Sequence, residues 1–480
     1  MIMQNHQLQQ GEKKILEDSL FLRTNSPADT QNTSLEDQET QLALLPMQII
    51  HKEFGKITAI KNIKSYTPKA ISKSKQFCTL AILIDNFSSI TEKEHMHTIL
   101  KNTGNTINAV CESNNGIWSW LSHNTAYCFF PDKTPQQGKD YALQINMQLS
   151  EKIKETVTTG IASYPMINFK KGQILENALK AIDHASFFGP GSTTLFNAVT
   201  LNISGDKFYQ KGDIDNAGKE FERALLIDPE NVNLHNSLGV CYGMTLDYKK
   251  ALSEFEFAYK IDKKEIMALH NIGIIYDLQG DKKKALKYFS KALDIEDNIF
   301  EILFHAGRLY LEIGLHEKAV EYLEKAIKIN SESGSAQRSL GKGYECINKI
   351  DKAAIAYKKA IKINPYDSDS LSALGHIFGV LNENAEIALV FCQQSVSLSP
   401  DNGLFRYRLG KAFINAGKKE EANAEFEKAK NLGYIFKAKT DNTKIKQTAK
   451  QKTKATTKVK PDHRLKQKTK ATTKVKPDHR

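Results

Sequence analysis

Side chains able to carry out chemistry are few in this sequence, and the most reactive type, cysteine, shows no functional spacing. The six cysteines form no CxxC pair, and no histidines accompany them at the spacing of a zinc site. Scattered cysteines of this kind indicate free thiols in a reducing compartment, so we expect a cytoplasmic protein with no metal and no cofactor. The six residues are Cys78, Cys111, Cys128, Cys241, Cys346 and Cys392.

The charge of the chain is concentrated at one end. The net charge is +12, but residues 437–480 hold 16 basic and 3 acidic side chains. The rest of the chain therefore has 51 basic and 52 acidic residues, and it gives no overall electrostatic case for a nucleic acid partner. No apolar run approaches the roughly 20 residues of a membrane-spanning helix, so we expect no transmembrane segment.

Residues 198–434 repeat with a period of 34 residues. A glycine, an aromatic residue three positions later, and an alanine in a second helix recur in register. Small residues let two antiparallel helices approach closely, while aromatic side chains fill the space between neighbouring pairs. The pattern predicts seven helix pairs stacked as an all-α solenoid. The recurring glycines are Gly205, Gly239, Gly273, Gly307, Gly341, Gly375 and Gly410.

This register resembles the tetratricopeptide (TPR) repeat family. The resemblance implies a non-catalytic scaffold that holds a peptide or protein partner in a concave groove. In that family, the groove is lined by first-helix positions that the repeat consensus leaves free. Transferred to this sequence, those positions predict a partner-binding groove that includes Asn202, Asn236, His270, Phe304, Arg308, Arg338, Lys342, Tyr407 and Lys411.

Three of these groove positions are basic and close in register. Arg308, Arg338 and Lys342 form a candidate basic patch for an acidic peptide or for a C-terminal carboxylate. The alternative is that they belong to an ordinary solvated helix face.

Residues 46–197 show a different pattern, in which strands alternate with helices. Apolar, β-rich runs begin at Cys78 and Thr156, and a hairpin is predicted from IWSW and TAYCFF with LSHN as its turn. Helical stretches separate these runs. The alternation predicts an α/β domain that directly precedes the repeats, and the absence of a Gly/Ser- or Pro-rich linker predicts a rigid junction near residue 197.

Three segments of this region resemble a GGDEF (diguanylate cyclase-like) domain. VTTGIASYP at Val157–Pro165 is similar to that family's VTVSIGIAxYP strand, and ALKAIDHASFFGPG at Ala178–Gly191 is similar to the helix that follows it. WLSHNTAYCFFP at Trp120–Pro131 stands where the family has RYGGDEFALLLP. The resemblance implies a nucleotide-cyclase-like fold and a bacterial protein.

The residues that an active GGDEF domain requires are replaced here. In that family a glycine pair lets the hairpin approach the nucleotide, and acidic side chains hold magnesium. Ser122 and His123 replace the glycines, and Thr125 replaces the metal-binding glutamate. Without those carboxylates the charge of a phosphoryl-transfer reaction is not neutralised, so we expect no catalysis. Asp85 and His123 remain either as weak candidates for a remnant nucleotide pocket or as plain surface residues.

Both ends of the chain are predicted to be disordered. Residues 1–45 are rich in small polar and acidic residues with little periodicity. Within residues 435–480 the segment KQKTKATTKVKPDHR occurs twice, at 450–464 and 466–480. A Lys-rich tail of this kind can bind nucleic acid or an anionic membrane surface. The alternative is a solvated extension, because aromatic residues that would stack on bases are missing.

These patterns favour a cytoplasmic scaffold or adaptor that binds a protein partner in its TPR groove. One alternative is a signalling receptor whose degenerate GGDEF-like domain binds a guanine nucleotide. The other is a nucleic-acid- or membrane-associated protein that acts through its basic tail.

Overall fold

The computed structural model of the chain describes residues 44–55, 63–381 and 384–435. The chain divides into two compact units between Ile295 and Glu296. Among the described residues, the first unit contains a five-stranded sheet and three helical hairpins, and the second contains four hairpins. The predictions of disorder for residues 1–45 and 435–480 lie outside the described residues except at 44–45 and 435; at Leu44 and Leu45 the prediction is wrong, because a helix begins there.

A mixed sheet forms the core of the region before the repeats, in the order β2-β3-β1-β4-β5. Strand β1 lies at its centre and pairs antiparallel with both β3 and β4, while β5 pairs parallel with β4. The predicted alternation of strands and helices is confirmed. The strands are β1 (Phe77–Ile84), β2 (Ile117–Trp120), β3 (Thr125–Pro131), β4 (Val157–Tyr164) and β5 (Thr193–Leu195).

Helices cover both faces of this sheet, which explains the continuous apolar sequence of β1. Leu80 and Ile82 face one core cluster, and Phe77 and Ala81 face the other. The first cluster is covered by α1, α2 and α3, and the second by α4. These helices are α1 (Leu44–Phe54), α2 (Lys93–Ser113), α3 (Pro135–Ser150) and α4 (Ile174–Ser186).

Three helical hairpins follow β5 in the first unit. Their second helices begin at an aspartate, because a carboxylate can accept the backbone N–H groups that the first helical turn leaves unpaired. Asp247, for example, accepts the N–H of Lys250 at 3.2 Å. The hairpins are α5 (Ala198–Gln210) with α6 (Ile214–Ile227), α7 (Val232–Met244) with α8 (Tyr248–Ile261), and α9 (Ile266–Leu278) with α10 (Lys282–Leu293).

Four further hairpins of the same design form the second unit. They are α11 (Phe300–Glu312) with α12 (His316–Ile329), α13 (Gly334–Cys346) with α14 (Ile350–Ile363), α15 (Ser368–Leu381) with α16 (Ala385–Leu398), and α17 (Gly403–Asn415) with α18 (Lys419–Asn431).

The recurring glycine of the first helix packs against a bulky residue of the second helix of the same hairpin. A Cβ on Gly239 would lie 2.6 Å from Cε1 of the buried Phe255 ring, closer than carbon atoms can approach. The same relation holds between Gly341 and Tyr357, where the distance would be 2.8 Å. The sequence period therefore records steric contact between the two helices of each hairpin, and the prediction of seven helix pairs is confirmed among the described residues.

The α/β region and the first hairpin share one hydrophobic core. Ala178 and Ile182 of α4 belong to the same buried cluster as Leu201 of α5 and Phe221 of α6. Polar contacts also join them, since Lys180 Nζ lies 2.7 Å from Glu220 Oε2. The first hairpin thus packs directly against the α/β region, as expected, and the rigidity of the junction near residue 197 stays a prediction.

Candidate functional site: a basic cavity in the second unit

Asp85, one of the two residues considered for a remnant nucleotide pocket, is a structural crosslink. Its Oδ2 accepts hydrogen bonds from Thr156 Oγ1 at 2.6 Å and from the Gly191 backbone N–H at 2.8 Å. Its Oδ1 accepts one from Thr158 Oγ1 at 2.6 Å. These three donors occupy both oxygens and tie the end of β1 to β4 and to the loop before β5. The carboxylate is thus already engaged within the fold.

We therefore expect Asp85→Asn to destabilise the first unit by about 2 kcal/mol, because the amide NH₂ faces donors and leaves at least one of them unpaired. Urea unfolding followed by tryptophan fluorescence measures the change. Asp132→Asn is the matched control, since the exposed Asp132 side chain makes no hydrogen bond to a described residue. Equal unfolding midpoints for the two variants would show that Asp85 does not hold these elements together.

His123 lies in the turn between β2 and β3, next to Phe87, with 6.0 Å between the two ring centroids. Its neighbours in the turn bond to one another. Asn124 Oδ1 accepts from Ser122 Oγ and from Thr125 Oγ1, both at 3.0 Å. No group of three or more His, Cys, Asp or Glu side chains that could hold a metal ion occurs among the described residues.

The second unit contains a cavity of about 350 Å³ that is lined by the first helices of its hairpins and by Tyr357 of the second helix α14. Arg308 of α11 and Arg338 and Lys342 of α13, the predicted basic patch, all line it. The cavity walls also carry apolar surface, which suits an amphipathic ligand such as a peptide. The remaining lining residues are Leu311, Glu312, Ser339, Glu345, Tyr357, Asp369, Ala373, Leu404, Phe405 and Arg408.

Arg338 has a structural partner as well as an exposed edge. Its Nη1 lies 2.9 Å from Oδ1 of Asp367, whose side chain is only 4% exposed, and 3.8 Å from Oδ2 of Asp369. Asp367 also begins α15, where its Oδ2 accepts from Ser370 Oγ at 2.8 Å. Removing Arg338 would leave a buried carboxylate without its cation, which destabilises a protein strongly. Loss of binding in an Arg338 variant would therefore be ambiguous.

Arg408 of α17 is a lining residue that the sequence reasoning missed. Its Nη2 lies 3.7 Å from Glu345 Oε1 of α13, and its Nη1 donates to Ser372 Oγ of α15 at 3.3 Å. Glu345 in turn accepts from the Tyr357 hydroxyl at 3.0 Å. The available signal was its position directly after Tyr407, a predicted groove residue.

Two groups in this network have pKa values displaced from their usual range. Burial, followed by the carboxylate of Glu345, raises the pKa of Tyr357, so its hydroxyl stays protonated and donates. Burial, followed by the positive charges of Arg408 and Lys411, lowers the pKa of His376 to about 3. His376 is therefore uncharged near neutral pH.

Lys342 and Lys411 are the groove cations with the fewest competing contacts. Lys342 is exposed and has no ion pair with a described residue. Lys411 likewise has none within the described part of the chain, and its Nζ lies 5.7 Å from the centre of the Tyr407 ring. Lys342 is exposed and Lys411 is half-buried, and an ammonium group without an internal carboxylate keeps its attraction for an incoming anion.

Two predicted aromatic groove residues mainly pack within the second unit. The Tyr407 ring lies 5.7 Å from that of Phe426 and 5.2 Å from that of Tyr434, measured between centroids. Phe304 stacks on Phe300 at 5.9 Å. Both residues shape the inner side of the hairpins, and neither lines the cavity.

The three predicted groove residues of the first unit are enclosed. Asn202, Asn236 and His270 lie on α5, α7 and α9 with exposed fractions of 8%, 4% and 0%. Burial lowers the pKa of His270 to about 4, which keeps its ring neutral. A partner could not reach these three side chains without rearrangement, so we place the candidate site in the second unit.

Comparison with known proteins identifies the repeats. Residues 205–245, 266–298 and 300–333 match family models of the tetratricopeptide repeat, and these segments of the chain are TPR repeats. No protein of curated function matched the sequence. Among the described residues, no helix is both long and apolar enough to cross a membrane.

Several solved structures resemble part of the chain. MamA is 27% identical with a TM-score of 0.31, over 34% of this chain and 94% of that one. A tetratricopeptide repeat protein from Parabacteroides merdae is 22% identical with a TM-score of 0.38, over 53% and 97%. YrrB, described as a TPR protein with an unusual peptide-binding site, is 20% identical with a TM-score of 0.35, over 38% and 95%.

Proposed function

We propose that this protein is a non-catalytic interaction scaffold whose second unit binds an acidic peptide segment of a partner protein. The observation that carries the proposal is the convergence of Arg308, Arg338, Lys342 and Arg408 on one cavity. The first three of these cations also occupy groove positions that the register of the repeat predicts. TPR repeats generally mediate contacts between proteins, which agrees with a peptide ligand.

The charge arrangement of the cavity favours an anion. Its lining includes three acidic residues, of which Asp369 lies beside Arg338 and Glu345 beside Arg408, and the third is Glu312. Lys342 has no ion pair among the described residues. With four cations against three acids, the lining carries one more positive than negative charge. A volume of about 350 Å³ holds one or two side chains, so we expect the cavity to take part of a longer segment.

The α/β region supplies no catalytic centre in this proposal, and we infer that it is a degenerate GGDEF-like domain. Support comes from the order of its strands and helices, from the hairpin at the LSHN turn, and from the substituted residues in that turn. The three donors to Asp85 weigh against the guanine nucleotide receptor considered above. The shared core with the first hairpin gives the domain a structural role, because it covers an apolar end of the repeats.

A binding measurement on the full chain tests the proposal. Fluorescence anisotropy with a labelled hexaglutamate peptide should show saturable binding that weakens as salt is added. Replacing both Lys342 and Lys411 by glutamine should weaken that binding about tenfold, since each exposed ion pair contributes up to about 1 kcal/mol.

The control variant is Lys359→Gln, which removes an exposed charge from the second helix α14, away from the cavity lining. It should leave the affinity unchanged. The basic tail is present in every variant and adds the same background. If the Lys342/Lys411 variant binds hexaglutamate as tightly as the parent chain does, the peptide is not held in the groove and the proposal is wrong.

A further inference from the structure

The four hairpins of the second unit carry a row of nitrogen-bearing side chains at one equivalent position of their first helices. We call this row the basic stripe. The first unit has no such row, since the matching positions hold Asp206, Val240 and Ile274. The stripe consists of Arg308 on α11, Lys342 on α13, His376 on α15 and Lys411 on α17.

Successive first helices of this unit are direct neighbours, which sets the distance between members of the stripe. Arg338 of α13 lies 3.8 Å from Asp369 of α15, and Arg408 of α17 reaches Ser372 of α15 at 3.3 Å. Packed helices have axes about 8–10 Å apart. An extended peptide advances about 3.3 Å per residue. One helix of the stripe therefore corresponds to about three residues of an extended ligand.

We propose that the basic stripe selectively binds an extended acidic peptide whose carboxylates recur at three-residue intervals. This inference rests on the proposed function and specifies its ligand. The occupant is a segment of another protein, because the Lys-rich tail of this chain has the same sign of charge as the stripe. Arg308, Lys342 and Lys411 each meet one carboxylate.

The groups around the stripe support this assignment. On the packed helices, Asp367 and Asp369 face Arg338, and Glu345 faces Arg408 and Tyr357. These acids are thus held by arginines beside the stripe. Burial, followed by the positive charges of Arg408 and Lys411, lowers the pKa of His376 and keeps it uncharged near neutral pH, so three of the four stripe positions carry a positive charge.

The test compares labelled ten-residue peptides of identical composition and amidated C-terminus on the full chain. One peptide carries glutamate at positions 1, 4, 7 and 10 in a Ser/Gly background, and the other carries the four glutamates at positions 1 to 4. We expect the spaced peptide to bind at least fivefold more tightly. Equal affinities would overturn the three-residue interval while leaving the scaffold function intact; no binding of either would overturn both.

Reversing the charge of Lys342 provides a second test of the proposal. Lys342→Glu should weaken binding of the spaced peptide, and a peptide with lysine at position 4 or 7 should recover affinity for that variant alone. The assignment of Lys342 to one carboxylate would be overturned if neither lysine-bearing peptide restored affinity for the Lys342→Glu variant. It would also be overturned if the Lys359→Glu control gained as much affinity from the lysine-bearing peptides.

A peptide of residues 28–41, which contains Asp29, Glu36, Asp37 and Glu39, tests the chain's own N-terminal segment as the occupant. We expect it to bind more weakly than the spaced peptide, because three of its four acids are clustered. Tighter binding would replace the partner protein by a segment of this chain and would overturn the proposal.

Discussion

Replacing Gly160 by alanine should destabilise the first unit by more than about 3 kcal/mol, the largest effect expected for so small a change. Gly160 lies in β4 where α4 crosses it. An added Cβ would overlap the carbonyl oxygen of Ala178 and lie 2.5 Å from the backbone nitrogen of Ile182. Both atoms belong to the α4 backbone, so no side-chain rotation relieves the clash and the helix must move off the sheet.

The measurement is urea unfolding followed by tryptophan fluorescence. The chain has two tryptophans, Trp118 and Trp120, and both lie on β2 of the same sheet. Gly218→Ala is the control, because a Cβ there meets nothing closer than Cys241 Cβ at 3.8 Å. That variant should gain up to about 1 kcal/mol from helix propensity. Unchanged unfolding of Gly160→Ala would contradict the close packing of α4 on β4.

Replacing Lys180 by methionine should cost about 3 kcal/mol and loosen the junction between the α/β domain and the first hairpin. Lys180 Nζ lies 2.7 Å from Glu220 Oε2, with side chains only 12% and 6% exposed. Without Lys180, Glu220 keeps only its contact with Arg223 at 3.2 Å. A mostly buried carboxylate then lacks its main counter-charge. Urea unfolding measures the loss, and thermolysin cleavage between residues 192 and 202 should accelerate.

The chain offers a matched control at the same junction. Lys207 Nζ also lies 2.7 Å from a carboxylate, Asp183 Oδ1, but those side chains are 43% and 44% exposed. Lys207→Met should cost less than about 1 kcal/mol, because water screens an exposed pair. The double variant Lys180→Met/Glu220→Leu should recover most of the loss, since an apolar pair leaves no buried charge. Equal costs for the two single variants would contradict the role of burial.

The repeats were predictable from the sequence because their packing restricts the residue types at nearby positions that recur with a fixed period. The contact between Gly239 and Phe255 forbids a side chain at one position and requires a bulky one 16 residues later. That constraint recurs in six of the seven hairpins, so it shows in the sequence without knowledge of the fold; in the sixth, Gly375 packs against Cys392 instead. Leu246, with φ of 63°, occupies a left-handed position that other repeats give to glycine, and no pattern announces such an exception.

The role of Asp85 could not be predicted, because its three donors come from distant parts of the chain. Thr156, Thr158 and Gly191 meet it only after the sheet has formed. The same limit applied to the groove. Register placed Arg308, Arg338 and Lys342 correctly on first helices, but it gave no hint that Arg338 would be committed to Asp367.

The burial of a side chain is a second property that the repeat register does not predict. Asn202, Asn236 and His270 stand at positions equivalent to accessible groove residues of the second unit, yet they are buried. Position on a helix fixes the direction of a side chain, whereas burial depends on everything packed around it.

The most direct test of the account is a crystal structure of the full chain with the spaced glutamate peptide. We predict an extended peptide across the first helices of the second unit, with one glutamate carboxylate within 4 Å of Lys342 Nζ, the limit of an ion pair. A peptide bound instead at the α/β domain or on the second helices of the hairpins, with the cavity beside Lys342 empty, would contradict it.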